Sequence, residues 1–241
     1  MTKLLKIATT ILATFALVAC GESEGGSGKD SLPISREQSE QKMEQLAETD
    51  GYYVKFKYSS SSNEEQEEYQ HLYFGYKGGV VWAGDDEGGM ALKEDEANVH
   101  YYSYSEGAYE YVASISKSEM EGYEASYKLV YSTWLYWGNT YDGQLKKGKD
   151  DTVAGRSCYT YTFNYSAVSE LGAYAALLGN ASDAKVTYKI WVEKEYGITM
   201  KIHLEGESDG ESGTFDFEVT EFKTGSQVTI PTLPPAVPQE D

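Results

Sequence analysis

Strict alternation of apolar and polar side chains in the carboxyl half of the chain is the feature that most narrows its fold. Residues 156–165 read RSCYTYTFNY and place Tyr159, Tyr161, Phe163 and Tyr165 on one side. Because successive side chains of a strand point to opposite faces, a period of two predicts a strand with one buried face.

A hairpin is predicted directly downstream, where two apolar rows face each other across the turn EKEYG. The rows are Val186, Tyr188, Ile190 and Val192, and Ile198, Met200, Ile202 and Leu204. Asp209-Gly210 predicts a second hairpin turn, which leads into Phe215, Phe217 and Val219. Two adjoining hairpins predict an antiparallel sheet.

Shorter alternating segments separated by glycine-rich turns continue this pattern upstream. They occupy residues 52–58, 69–77, 80–84, 90–96, 98–105 and 108–115. Many short strands with turns between them predict a meander of antiparallel strands.

Three segments have helical spacing instead. Residues 35–51 begin with a capping box, Ser35 and Gln38, and stop at Gly51. Residues 117–137 place apolar side chains at steps of three and four, although a strand over 127–137 remains the alternative. Residues 166–181 are rich in Ala and Leu and predict a short apolar helix. The predicted fold class is therefore α+β, mostly antiparallel β.

Tyrosine is unusually frequent, with 22 residues against 7 phenylalanines. A tyrosine presents an apolar ring and a polar tip, which suits a strand with one wet side. The alternative is an aromatic platform for sugars or acyl chains. The tyrosines are spread along the chain, which favours the first interpretation.

The amino terminus has the pattern of a secretory signal. Lys3 and Lys6 precede an apolar run over 7–19, which is shorter than the roughly 20 residues that a membrane-spanning helix needs. The run ends in Leu-Val-Ala-Cys, which closely resembles the lipobox of bacterial prolipoproteins. The resemblance implies that Cys20 receives a diacylglycerol and becomes the new amino terminus, so that it cannot form a disulfide with Cys158. Cys158 is then expected to be a small buried side chain rather than a nucleophile.

Chain length and net charge limit the number of domains and the kinds of partner that the sequence allows. Removing residues 1–19 from 241 leaves 222, enough for one sizeable core, and the formal charge of −19 argues against nucleic acid as a partner. We predict a signal over 1–19, a lipidated Cys20 with a flexible tether over 20–34, a single domain over 35–230, and a Pro-rich tail over 231–241.

Catalytic and metal signatures are absent from the sequence. There is no phosphate-binding glycine loop and no Gly-x-Ser-x-Gly elbow, and the three histidines, His71, His100 and His203, are isolated. The acidic segment 85–96 lacks the spacing of a calcium loop. We therefore predict no enzyme activity, no cofactor and no metal site.

The order of elements resembles the half-barrel of the lipoprotein-carrier family. Three stretches carry the likeness: residues 36–58, the segment IWVEKEYGITMKIHLEG, and the close FDFEVTEFKTGSQVTIPTLP. The resemblance implies a curved meander whose concave face is covered by helices 117–137 and 166–179. The residues it places along an acyl-binding groove are Tyr161, Phe163, Ile190, Val192, Met200, Ile202, Phe215, Phe217, Tyr131 and Trp134. The alternative is that the helices fill the groove and these residues form ordinary core.

The predicted function follows from the anchor and the resemblance. We expect a non-enzymatic lipoprotein, held by its lipid at the outer face of a Gram-positive cell membrane, that binds a lipid, another amphiphile or an envelope partner. One alternative is a protein-interaction or sensory module with a packed core, for a protein partner that the sequence does not identify. Another is a glycan-binding module that uses Trp82, Trp134 and Trp137.

Overall fold

A computed structural model describes residues 32–62, 65–66, 70–120, 135–136, 145–166, 185–208 and 211–236. Within them the chain forms thirteen strands. They are β1 Tyr52–Ser62, β2 Glu65–Gln66, β3 Gln70–Lys77, β4 Val80–Asp85, β5 Gly89–Glu94, β6 Asn98–Ser105, β7 Ala108–Ser116, β8 Lys146–Lys147, β9 Asp151–Val153, β10 Arg156–Ser166, β11 Lys185–Glu193, β12 Thr199–Ser208 and β13 Glu211–Thr224. The helices are α1 Arg36–Thr49, the single turn α2 Lys117–Met120 and a 3₁₀ turn Gly225–Gln227.

The strands form one hydrogen-bonded path in the order β7-β6-β5-β4-β3-β1-β13-β12-β11-β10-β8, with β2 paired to β1 and β9 to β10. Neighbours with a described register pair antiparallel, and the path does not close on itself. The predicted fold class, α+β with a mostly antiparallel, open meander of strands, is confirmed.

The chain divides into two compact units. Unit 1 contains the described residues of 1–39, 58–69 and 135–218, and unit 2 those of 40–57, 70–134 and 219–241. Strands β1 and β13 contribute residues to both units. The two units are described separately below.

Helix α1 begins at the capping box that the sequence predicts. The Ser35 N–H donates to Gln38 Oε1 at 3.0 Å, and the Gln38 N–H donates to Ser35 Oγ at 3.2 Å. Gly51 ends the helix with φ +75°, and its N–H donates to the Leu46 carbonyl. Met43 and Leu46 of this helix are buried.

The two other predicted helices lie mostly outside the described residues. The segment predicted to be helical from residue 117 begins there, as α2, and is described through residue 120 and again at 135–136. Ser166, the first residue of the last predicted helix, ends strand β10 instead, and residues 167–184 lie outside the described part. Their packing against a concave face stays a prediction.

The hairpin of β11 and β12 has the predicted facing rows, with Tyr188 opposite Leu204 and Ile190 opposite Ile202. A register shift beside Val192 then pairs Val192 with Thr199. The second hairpin joins β12 and β13 through residues 209–210, because Ser208 pairs with Glu211. The sequence predicts both hairpins but not the register shift.

Candidate functional site

In unit 1, four of the predicted groove residues form a continuous row across the sheet. Tyr161 lies opposite Ile190, Ile190 opposite Ile202, and Ile202 opposite Phe217, on strands β10 to β13. We call these four residues the inner row. Each of them is at most 1% exposed. The inner row is thus closed core as the structure stands.

The other predicted groove residues fall into two groups. Val192 belongs to the same apolar cluster as Tyr161 and Ile190, Phe215 packs against that cluster, and Met200 is fully buried on β12. Outside the described residues lie Tyr131, Trp134, the Phe163 side chain and the anchor residue Cys20. Because each residue of the inner row is at most 1% exposed, its role as a groove lining stays a prediction.

A buried carboxylate stabilises the turn between β11 and β12 in the same unit. Glu193 Oε1 accepts bonds from Arg156 Nη2 at 2.9 Å and Nε at 3.2 Å, and Oε2 accepts the backbone N–H groups of Glu195 and Tyr196. Arg156 also donates to the exposed Glu195 carboxylate at 2.6 Å. Every acceptor position of Glu193 is used for folding, so this cluster is structural.

Unit 2 contains a cavity of about 590 Å³ where strands β3, β4 and β5 meet. We call it the β4–β5 cavity. Its lining residues are Phe56, Leu72, Tyr73, Ala83, Gly84, Asp85, Glu87, Gly88, Gly89, Met90 and Tyr101. No sequence pattern predicts a site here.

Register explains how these distant residues meet. Ala83 on β4 lies opposite Met90 on β5 and opposite Phe74 on β3, and Leu72 lies opposite Asp85. Side chains on alternate positions of neighbouring strands share a face, so apolar side chains form the bed of the cavity. The glycines of the segment DDEGG, which connects β4 to β5, add no side chain to its wall.

The rim of the cavity is acidic, and its carboxylates differ in how they are compensated. Asp85 Oδ1 accepts the N–H groups of Glu87 and Gly88, both at 2.8 Å, which fixes the turn. Asp86, which is not part of the lining, bonds to His71 at 3.0 Å and Lys55 at 3.4 Å. Within the described part of the chain, Glu87 has no cationic partner, and neither does Asp85. The lining has no lysine or arginine among its described residues.

The strand face that carries Trp82 and Tyr102 is packed with tyrosine, and one of these tyrosines, Tyr73, also belongs to the lining of the β4–β5 cavity. Trp82 and Tyr102 form a buried cluster with Val80, Ala91 and Val228. The partly buried side chains around this cluster are Tyr53, Tyr73, Tyr109, Tyr111 and Leu233. Val228 and Leu233 come from the carboxyl-terminal segment, so part of the predicted Pro-rich tail packs on this face.

Burial alters the chemistry of these tyrosines. It raises the pKa of Tyr53 to about 12, with Glu221 adding to the effect, and it also raises the pKa values of Tyr73 and Tyr109. The hydroxyls of Tyr73 and Tyr109 share a hydrogen bond. These tyrosines therefore act as neutral core residues.

One of the three tryptophans that the glycan-binding alternative requires, Trp82, is buried in this cluster. Trp82 is 4% exposed, and a Cβ on Gly75 would lie only 2.2 Å from its ring. A ring so closely covered presents no platform to a sugar. Trp134 and Trp137 lie outside the described residues.

The three histidines all bond to carboxylates. His71 pairs with Asp86, and His100 bonds to Asp95 at 2.8 Å and to Ser114 at 2.6 Å. Burial alone would lower the pKa of His203, but its bonds to Glu205 and Asp216 outweigh that effect and raise it. No group of three or more metal-ligating side chains is arranged around a common point within the described ranges.

Cys158 is the free cysteine of the described part, and it is fully buried. Burial raises the pKa of its thiol to about 11. The prediction that Cys158 packs as a small apolar side chain is consistent with both observations.

No family model and no curated protein matches this sequence. Among solved structures, the chain is similar to LprF from Mycobacterium bovis, at 10% identity and a TM-score of 0.34, over 84% of this chain and 98% of that one. It is also similar to a LolA superfamily protein from Nitrosomonas europaea, at 10% identity and a TM-score of 0.24, over 79% and 93% of the two chains. A putative outer membrane lipoprotein-sorting protein domain from Vibrio parahaemolyticus is similar at 6% identity and a TM-score of 0.24, over 81% and 94%. Likenesses at these TM-scores assign neither a family nor a ligand to this chain.

None of the helices in the described ranges is long and apolar enough to span a bilayer.

Proposed function

We propose that this chain is a non-enzymatic, lipid-anchored extracytoplasmic lipoprotein that binds an amphiphile. The observation that carries the binding function is the β4–β5 cavity, which combines an apolar bed with a charged rim. Its volume of about 590 Å³ lies within the range of small-molecule sites, roughly 300–1,000 Å³. An apolar chain fits the bed, and a polar head fits the rim.

The anchor rests on the sequence of the amino terminus. A diacylglycerol on Cys20 supplies two acyl chains, and two chains hold a protein stably where one holds it marginally. The tether that follows, GESEGGSGKDSLPI, is 14 residues long and spans about 20 Å as a flexible coil. The domain is then held close to the outer face of the membrane, where an amphiphile is available to it.

The Cys20 anchor is tested by growing expressing cells with an alkyne-tagged fatty acid. We expect label on the native chain and on Cys158→Ala, and none on Cys20→Ala, which should leave the membrane fraction. An unlabelled native chain, or a disulfide between Cys20 and Cys158, would overturn the anchor.

The ligand is tested by native mass spectrometry after gentle extraction. We expect a bound amphiphile on the native chain and its loss from Ala83→Leu, because three added carbons occupy the bed of the cavity. Met90→Trp blocks the same space from a partly exposed position, which guards against misfolding of the first variant. A native chain without ligand, or binding that both variants retain, would rule out this site.

A protein-interaction module is the second candidate, and strand β7 favours it. β7 ends the strand path, and it carries Val112 at 52% and Ile115 at 39% exposed. An edge strand offers backbone N–H and C=O groups to an added strand. A photo-crosslinker at Val112 should give a discrete adduct in cells, and the same group at Glu96 should not. Equal adducts, or none, would remove this candidate.

A further inference from the structure

We propose that the β4–β5 cavity selects an amphiphile whose head group is a cation, of the alkylammonium class. This inference rests on the proposed binding function and specifies the chemistry of the same site. Its basis is the contrast between the apolar bed of the cavity and the uncompensated charge at its rim.

The rim supplies negative charge without a resident counter-ion. Asp85 and Glu87 both line the cavity, and neither has a cationic partner among the described residues. The neighbouring Asp86 does have partners, Lys55 and His71, and it is not part of the lining. Lys55 and His71 are thus bonded to the carboxylate outside the cavity.

The geometry of the turn fixes one of the two rim charges. Asp85 Oδ1 is held by two backbone N–H groups, and the Asp85 N–H in turn donates to the Gly88 carbonyl at 2.9 Å. Oδ2 receives no hydrogen bond from the described residues. A carboxylate fixed by one oxygen and open at the other is ready to accept a cationic or donating head group.

Aromatic residues complete the complementarity. Phe56 and Tyr101 belong to the lining, and aromatic rings attract ammonium groups. An anionic head would meet two carboxylates and no lysine or arginine among the described lining residues. The formal net charge of the chain, −19, also disfavours the binding of anions.

The test compares three decyl amphiphiles below their micelle concentrations, at pH 8 and about 0.15 M salt, which limits diffuse charge effects. They are decyltrimethylammonium, the neutral decyldimethylamine N-oxide and decyl sulfate. Calorimetric titration of the unlipidated mature chain, residues 20–241, should show the cation binding about tenfold more tightly than the N-oxide. Decyl sulfate should bind most weakly.

Matched variants distinguish cation binding by the rim carboxylates from cation attraction by the net charge of the protein. Glu87→Gln should weaken cation binding about threefold and leave the N-oxide unchanged, whereas Glu96→Gln, the same charge change outside the lining, should alter neither. Asp85→Asn keeps the Oδ1 acceptor that holds the turn, and it should act like Glu87→Gln. Cation binding that is insensitive to both lining variants would overturn the inference.

The outcomes also distinguish this inference from the proposed function. If all three amphiphiles bind equally and Ala83→Leu abolishes their binding, the cavity binds amphiphiles but does not select the head group. If no amphiphile binds, both proposals are wrong. If the cation binds equally well to Ala83→Leu, it binds elsewhere on the acidic surface, and the inference is overturned.

Discussion

Tyr73 lies across two opposed glycines, and this fit shows how single residues shape unit 2. A Cβ on Gly84 would lie 2.5 Å from the Tyr73 hydroxyl oxygen and 2.2 Å from the Gly88 carbonyl oxygen. A Cβ on Gly89 would lie 2.6 Å from the same hydroxyl oxygen. Real Cβ atoms do not approach so closely, so the two glycines leave the space that the ring occupies.

Replacing Gly84 by Ala should therefore destabilise the fold. The methyl group displaces either the ring or the facing backbone, and overpacking of this kind costs about 1–3 kcal/mol. Urea unfolding measures the change in the free energy of unfolding. Gly88→Ala is the matched control, because its nearest contact would be 3.3 Å away and its effect should be smaller. Equal losses for the two variants would contradict this packing account.

Cys158 should be unreactive in the folded protein, since the thiolate is the nucleophile and burial raises the thiol pKa to about 11. In the unlipidated mature chain, Cys20 provides an internal standard. We expect one thiol to react rapidly with a chromogenic disulfide and the second at least about a hundredfold more slowly, until guanidinium exposes it. Two rapid thiols would contradict the burial, and no thiol before reduction would indicate a disulfide between them.

At the scale of elements, the turn between β11 and β12 depends on one carboxylate more than on its neighbour. Glu193 is buried and holds Arg156 and two backbone N–H groups, whereas Glu195 is 61% exposed and holds the same arginine. Glu193→Ala should cost about 3 kcal/mol, because it leaves those donors without an acceptor. Glu195→Ala should cost less than about 1 kcal/mol. Similar losses in urea unfolding would show that burial does not distinguish the two pairs.

Features that depend on neighbouring residues could be predicted from the sequence, whereas features that depend on distant residues could not. The capping box at Ser35 and the alternation through Tyr161 act over a few residues, so the sequence predicts α1 and β10 directly. The register shift beside Val192 has no local signature in the sequence. The bond from Arg156 to Glu193 joins residues 37 positions apart, and it depends on how β10 and β11 align.

The β4–β5 cavity was missed for the same reason. Phe56 and Tyr101 are 45 positions apart in the sequence, and only the strand order brings them to one cavity. The available signal was the segment DDEGG between Ala83 and Met90, where small residues interrupt two apolar strands. Because the acidic residues there lack the spacing of a calcium loop, the sequence pattern predicts no site at this segment.

At the scale of the whole molecule, the acidic side chains should set the response to pH. Backbone N–H groups of Asn98 and Ala97, together with His100, lower the pKa of Asp95 from 3.8 to about 2, and a bond from the Trp191 indole lowers the pKa of Asp151. Because the folded-state pKa lies below the unfolded one, these groups stabilise the fold above about pH 4 and lose that contribution as the pH falls toward 2. The urea midpoint should fall steeply over this range. Asp95→Asn, which keeps an Oδ1 acceptor for the two N–H groups, should make the fall shallower, whereas Glu96→Gln should leave it unchanged. A midpoint that stays constant between pH 4 and 2 would show that these carboxylates gain nothing from their partners in the folded chain.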